Sequence, residues 1–588
     1  MAAMRRISGF VASVLLVGLV ACGGGGGTTS PPPGSLSVSV TPGTALIYPG
    51  QSATQVNVTI TRQGATGSVT LSVQGLPSGI TANIQSPNSS NSGSITFSAS
   101  ATAAAASLPL TVTASDGSVS GSTPFALSVG AIAQISTIKN GRFEVAMSTS
   151  FQPAEWDDQF FTLNPGATTT LGNLLPQHVR LQGISQGVPQ KTASTWDFAM
   201  LDAITQPVLG VGDNSPEFQI AVAPAFMYDA NHNFVDPTFQ TFAVYAQNLV
   251  QYYNTGGFTA GDGFHKSPSN HPVQWWGIYN EPSINNVNAN QYTLMYNTLV
   301  PAMQSVDPSL KFVAIELCCS SETSFLPVFA SGANAQVDVV ASHYYSTCNQ
   351  KDTDTQLLST IPSFVTSVNY MYSQLKSAAN PALNDVPVWV TENNVNADFD
   401  KGNGISNCNG GTFVTDLRGS SPFFAAWRPY VFSQLGKAGV KALYHWDFGA
   451  DKQYGEVDYQ TGAYQLSYWV DYWLARRFAF PPGADLLQFT TTDASGIEIL
   501  PVLNADGSVT VMVSNFAVRA AGDNNGPGAP RTVQIDTSAF GGFSTASLLT
   551  IGATTNVASG PAAVSITPAS QIAVTLSGYG VAFLTLTP

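Results

Sequence analysis

Charge is scarce in this chain. Asp, Glu, Lys and Arg make up 10% of its 588 residues, against about 25% in an average soluble protein. Basic residues are the scarcer kind: 21 Lys and Arg stand against 35 Asp and Glu, a net charge of −14. Without clustered cations nothing neutralises a phosphate backbone, so a nucleic-acid partner is excluded. Runs of like charge are missing as well, and so are the interaction tails they would form. There are five cysteines and no Cys-x-x-Cys pair, which removes the ligands of a zinc finger and the motif of a thioredoxin-like site. Beyond the first 22 residues no apolar run is long enough to span a bilayer. No Gly-rich phosphate loop follows a strand pattern. Low charge does not mean disorder here, because 44% of the residues are apolar and disordered chains are apolar-poor. At roughly 100–200 residues per domain, the length allows about three to five domains.

The N-terminus reads as an address. Arg5 and Arg6 precede an apolar run, Phe10 to Val20, that ends Leu19-Val20-Ala21-Cys22. This resembles the lipobox of bacterial lipoproteins, which implies a signal peptide over residues 1–22 and an acylated Cys22 as the mature N-terminus. The resemblance implies an exported protein held by lipid at the bacterial cell envelope, with the membrane as a partner. Residues 23–34 are a glycine run and then Pro31-Pro32-Pro33-Gly34, a flexible tether followed by a stiffer spacer.

Three folded regions follow. Residues 35–130 alternate apolar and polar positions in short runs, such as Val56-Asn-Val-Thr-Ile-Thr and Leu110-Thr-Val-Thr-Ala. That period-two pattern predicts antiparallel strands with one buried face, arranged as an immunoglobulin-like β-sandwich. Gly67 to Ile80 resembles bacterial surface immunoglobulin-like repeats, which implies a spacer or a carbohydrate-binding module. Residues 131–482 hold most of the Trp, Tyr, His and charged residues. Eight short apolar strands, from Phe143-Glu-Val-Ala-Met to Ala442-Leu-Tyr-His-Trp, alternate there with helical stretches such as Phe239 to Tyr253, Ile361 to Ala378 and Tyr430 to Ala438. Repeating βα units predict a (β/α)8 TIM barrel; an open doubly wound sheet is the alternative. Residues 483–588 return to alternating strands and predict a C-terminal β-sandwich packed on the barrel.

In a barrel the chemistry sits at the C-terminal ends of strands. Two strands end alike: Trp275-Trp-Gly-Ile-Tyr-Asn280-Glu281-Pro282 is fourth and Val388-Trp-Val-Thr391-Glu392 is seventh. Strands four and seven face each other across a barrel mouth. Carboxyl groups about 5–5.5 Å apart there form the acid/base and nucleophile pair of a retaining glycosidase.

At these residues the chain resembles glycoside hydrolase clan A, whose fourth-strand signature is the triplet Asn280-Glu281-Pro282. Val179-Arg180-Leu181-Gln182-Gly183-Ile184 and Ser342-His343-Tyr344-Tyr345 resemble second- and sixth-strand motifs of family 39, which holds β-xylosidases and α-L-iduronidases. The resemblance covers roughly residues 135–480. It implies Glu281 as general acid/base, Glu392 as nucleophile, Asn280 on the sugar 2-hydroxyl, an oligo- or polysaccharide substrate, and neither metal nor organic cofactor. Arg180 is placed to hydrogen-bond Glu392 and keep it ionised. His343 and Tyr345 are expected to position the carboxylates or a sugar hydroxyl, and Trp446 to offer a stacking platform. The family usually has Trp after the nucleophile and His near position 182; Asn393 and Gln182 stand here. A carbohydrate-binding or adhesion protein with an inactive barrel, and a transglycosidase, are the rival functions. Cys348 and Cys408, in loops after adjacent strands, are expected to form a disulfide.

Overall fold

Eight parallel strands, taken in chain order, close into a barrel: β1 (Ala146–Phe151), β2 (Val179–Leu181), β3 (Glu217–Ile220), β4 (Trp275–Ile278), β5 (Lys311–Leu317), β6 (Val339–Thr347), β7 (Val388–Asn396) and β8 (Ala442–His445). The computed structural model describes residues 34–152, 162–182, 187–211, 215–268, 271–318, 324–479 and 483–588. Cys22, Gly183, Ile184 and Cys319 lie outside the described residues. A helix follows each strand: α1 (Pro165–Leu174), α2 (Ala199–Leu209), α3 (Gln240–Thr255), α4 (Ala289–Gln304), α5 (Phe325–Gly332), α6 (Asp354–Lys376), α7 (Pro422–Lys437) and α8 (Leu466–Leu474).

Inward-facing residues of alternate strands stack in layers. The floor is aromatic: the His178 ring lies 5.4 Å from Trp275, 4.6 Å from Trp389 and 6.2 Å from Tyr444. Above the floor the interior turns polar, with Arg180 and Thr391 two residues beyond His178 and Trp389, and Glu217 and Gln219 of β3 beside them, all buried. Gly277 makes that layer possible. A Cβ there would fall 1.8 Å from Gln219 Oε1 and 3.0 Å from Glu217 Oε1, so only glycine lets those side chains cross the barrel.

Helix α7 is apolar almost all round, with 11 of its 16 residues buried. A helix of that kind needs partners on both sides. One side is the barrel. The other is a nine-stranded sheet, in the order Val564–Ile566, Thr545–Gly552, Gly580–Thr587, Val509–Asn515, Ile497–Leu503, Ala484–Thr491, Ala131–Phe143, Arg531–Asp536, Gln571–Leu576. Tyr430 of α7 stacks on Phe516 at 4.0 Å, and Ser514 Oγ donates to the Ala426 carbonyl at 2.8 Å. The opposite face of the sheet forms its own core, to which Val511, Leu584, Val533 and Val574 contribute.

The sheet corrects the expected start of the barrel at residue 131. Ala131–Phe143 pairs antiparallel with Ala484–Thr491 and parallel with Arg531–Asp536, so this segment belongs to the C-terminal β-region and the barrel begins after it. Its Ala131, Ala133 and Ile135 are buried in the sheet core. At the N-terminus two four-stranded sheets share a core that includes Val56, Phe97, Val112 and Leu127.

Helix boundaries also differ from the sequence pattern. The patterns at Ile361 and Tyr430 begin at prolines, but α6 runs through Pro362 and α7 through Pro429. A proline forfeits one backbone bond, and packing on both sides of α7 outweighs that local cost.

Candidate active site

Glu281 and Glu392 come together at the C-terminal mouth of the barrel. Glu281 lies three residues beyond β4, and its position depends on an irregular backbone: Tyr279 has φ +62° and Glu281 φ +44°. Non-glycine residues adopt this left-handed region only where their surroundings enforce it. Here the Asn280 amide donates to Ala221 O at 3.1 Å and the Glu281 amide to Glu316 O at 3.2 Å. Tyr292 of α4 donates its hydroxyl to Ile278 O at 2.9 Å and accepts from the Ile315 amide at 2.6 Å, tying β4 to β5. On β7 the register shifts opposite Ser342 and His343, so Glu392 pairs with His343. A bulge of this kind re-aims a side chain.

His343 sits between the two glutamates. Its Nδ1 is 2.8 Å from Glu281 Oε1 and 3.4 Å from Glu392 Oε2, while Nε2 is 3.1 Å from Glu316 Oε2. One oxygen of Glu281 and one of Glu392 lie within 4.8 Å of each other. Burial alone would lower the imidazole pKa, but Glu392, Glu281 and Glu316 outweigh it and push it up to about 10. Both ring nitrogens are directed at carboxyl groups, which favours the protonated imidazole. Glu392 also accepts from Arg180 Nη1 at 2.8 Å and from the Tyr345 hydroxyl at 2.8 Å. Burial and the Glu392 charge push the Tyr345 phenol well up, so it stays a donor.

Arg180 is fully buried. Burial would lower its pKa, but Glu316, Glu392 and Glu217 outweigh it and raise it. Its fork reaches Glu392, Asn280 Oδ1 at 2.8 Å and Glu316 at 3.4 Å, and it also donates to Gln182. Beneath it, burial and then the Glu316 charge push the Glu217 carboxyl up to about 8. Burial would raise Glu316 too, but Arg180, His343 and Thr391 hold it low. The buried centre thus sets Arg180 and His343 against the carboxyl groups of Glu316 and Glu392, with the raised carboxyl of Glu217 beneath them.

A cavity of about 380 Å³ opens over the glutamates, lined by Gln152, Gln182, Asn280, Tyr345 and Trp446 among others. The Trp446 indole donates to Gln152 Oε1 at 3.0 Å. Cys348 and Cys408 form a disulfide at its rim, with Cα atoms 5.9 Å apart.

These features coincide with a known architecture. Two hundred and seventy-two solved chains match this fold. A β-xylosidase from Caulobacter crescentus CB15 is 14% identical, covering 78% of this chain and 99% of its own, with a TM-score of 0.56. An α-L-arabinofuranosidase from Thermotoga maritima (13% identity, 78% and 99% covered) reaches 0.57, and a GH39 enzyme from Xanthomonas axonopodis pv. citri (13%, 78% and 97%) reaches 0.53. At these identities the likeness is one of fold: a (β/α)8 barrel with added β-structure, shared with these enzymes. No protein-family model and no curated protein sequence matches the chain.

The structure gathers Glu281, Glu392, Asn280, Arg180, His343 and Tyr345 into one hydrogen-bonded group, with Trp446 beside it. Asn393, where the family usually has Trp, faces away from the cavity: it accepts from Arg428 and donates to Tyr344 O at 2.7 Å. Glu217 and Glu316 are not among the site residues expected from the sequence. Glu316 ends β5 in the sequence, so the strand-end rule that picked out the other two glutamates also reaches it. Glu217 begins β3, where no such rule applies.

Among the described residues two trios have metal-ligand composition: Glu281 with His343 and Glu392, and His445 with Glu456 and Asp471. In both, hydrogen bonding already occupies the histidine. His445 Nδ1 meets Asp471 at 3.0 Å and Nε2 the Tyr454 carbonyl at 2.7 Å, and Arg428 holds Asp471 at 2.9 Å.

Proposed function

We propose that this protein is a retaining glycoside hydrolase acting on a β-linked glycan. The observation that carries the reading is the Glu281–Glu392 separation. Oxygens within 4.8 Å set the pair nearer the about 5–5.5 Å of retaining enzymes than the about 6.5–9.5 Å at which inverting enzymes seat a water.

The roles follow from the surroundings. Glu392 receives hydrogen bonds from Arg180 and Tyr345, which orient it as the nucleophile towards the anomeric carbon. Glu281 is the more exposed of the pair and delivers a proton to the leaving oxygen. After the first displacement a glycosyl ester links the sugar to Glu392. Glu281, now a carboxylate, takes a proton from water as that water attacks the anomeric carbon and frees Glu392. Asn280 is placed for the 2-hydroxyl and Trp446 for a C–H face of the ring.

The test is Glu392→Ala assayed on a panel of aryl glycosides. Turnover is expected to fall by about 10³-fold or more, on the scale of losing a nucleophile. Azide is expected to restore product of inverted configuration, read by NMR. Full activity without azide would refute the assignment.

A further inference from the structure

A second and larger cavity, about 720 Å³, opens beside the catalytic pocket over the ends of β3 and β4. The two adjoin, because Val222, Ile284 and Asn285 line both. The walls of the second are Gln190 and Lys191 after β2, Tyr228 and His232 after β3, and Asn286 after β4. These side chains offer amides, a phenol, an imidazole and one ammonium. Asp229, the carboxylate at the wall, is spent within its own turn, accepting from the amides of Asn231 at 2.8 Å and Asn233 at 2.9 Å. At the junction Ile284 is 58% exposed. Hydrogen-bonding groups around an exposed apolar side chain suit a ring with hydroxyls on its edge and C–H groups on its face.

The cavity is also preformed. The Tyr228 hydroxyl accepts from the Ala223 amide at 3.0 Å and lies 3.2 Å from the Tyr279 hydroxyl. Asp236 accepts from the amides of Thr238 and Thr241, both at 2.9 Å, which fixes the far end of the loop. Tyr279 directly precedes Asn280 and Glu281, so cavity wall and acid/base share one rigid strand end. A site ordered beforehand loses less entropy on binding. Its volume lies within the roughly 300–1,000 Å³ of ligand pockets, and it is the larger of the two.

We propose that this cavity binds the continuation of the glycan chain held in the catalytic pocket, which makes the substrate an oligosaccharide or polysaccharide of at least three or four units. The proposal rests on Glu281 and Glu392 forming a glycosidase pair.

The test is chain-length dependence. Oligosaccharides of two to six units, built from the sugar that the aryl glycoside panel selects, are assayed with the wild type, the Gln190→Ala/Asn286→Ala double variant, and Ile284→Trp, which fills the junction. For the wild type kcat/KM is expected to rise at least tenfold from two units to four. In both variants the rise is expected to shrink below threefold, with melting temperatures confirming that they are folded. Titration of inactive Glu392→Gln with the same series is expected to show the same dependence in affinity. A wild type indifferent to length, or a rise that survives in both variants, overturns the proposal and leaves the glutamate pair intact. A wild type that cleaves no glycoside overturns the reading of the pair itself.

Discussion

At the scale of single residues, the site is an exercise in holding charge without water. Four buried groups keep protons that the unfolded chain would lose: His343 up to about 10, Glu217 up to about 8, Asp447, raised by burial against three backbone amides, also to about 8, and Glu456, pushed well up by burial and then the Asp471 charge. For His343 the folded pKa exceeds the unfolded one, so its contribution is complete below about pH 6.5 and is lost as pH climbs towards 10. Glu217 and Asp447 are protonated when folded and ionised when unfolded, so each costs stability as pH rises from about 4 to 8. Asp116 and Asp236, held near 2 by hydrogen bonds, act in the other direction, and only below about pH 4. The melting temperature is therefore expected to peak at mildly acidic pH and to fall by several degrees between pH 5.5 and 9.5. Glu217→Gln should flatten that slope. A melting temperature constant from pH 6 to 9 would contradict the proton placement. The pairing of Glu281 with Glu392 was legible from sequence because both follow short apolar strand runs within recognisable motifs. Glu217 was hidden because its function is to complement Arg180 from below, and a single sequence does not show which inward positions meet across a barrel.

At the scale of elements, the loop after β7 forms one wall of the catalytic pocket. Phe399, Asn407 and Cys408 all line it. The loop has little apolar content and holds itself by polar bonds: Asp398 Oδ1 accepts from Ser406 Oγ at 2.8 Å and the Cys408 amide at 2.9 Å, and Asp400 accepts from the amides of Gly402 and Ile405. The disulfide joins it to the loop after β6 across 60 positions. Loop-closure entropy for such a span gives an upper figure of about 4 kcal/mol, and the local polar bonds mean the loop retains part of its order without it. Replacing both cysteines by serine is expected to lower the melting temperature and to raise KM by about three- to tenfold. Identical KM values for wild type and double variant would show that the loop's own hydrogen bonds suffice. Strand identities were legible here because the runs are short, apolar and bounded by turns. Helix starts were less so, because Pro362 and Pro429 read as stops where tertiary packing overrides them.

At the scale of the whole molecule, the barrel is not an independent unit. Its α7 is buried on two sides, and the second side is supplied by strands from beyond residue 483 together with Ala131–Phe143 from before the barrel. Composition placed that strand with the barrel because Lys139, Arg142 and Glu144 follow an N-terminal region with almost no charge. Pairing places it in the sheet, where Lys139 and Arg142 reach Asp485 at 2.6 and 3.5 Å. The N-terminal sheets stand differently. They own a separate core, and bonds such as that from the Ala105 amide to Asp493 Oδ2 at 2.6 Å link them to the rest. Two truncations separate these cases. A chain beginning at residue 131 keeps the nine-stranded sheet whole and is expected to fold, to melt within about 3 °C of the full chain and to retain glycoside turnover. A chain beginning at residue 144 removes a strand between Ala484–Thr491 and Arg531–Asp536, leaving two unpaired edges and an opened core. It is expected to be insoluble or to melt more than 10 °C lower. If calorimetry shows the two truncations equally stable, Ala131–Phe143 contributes nothing to the platform beneath α7, and the barrel stands without it.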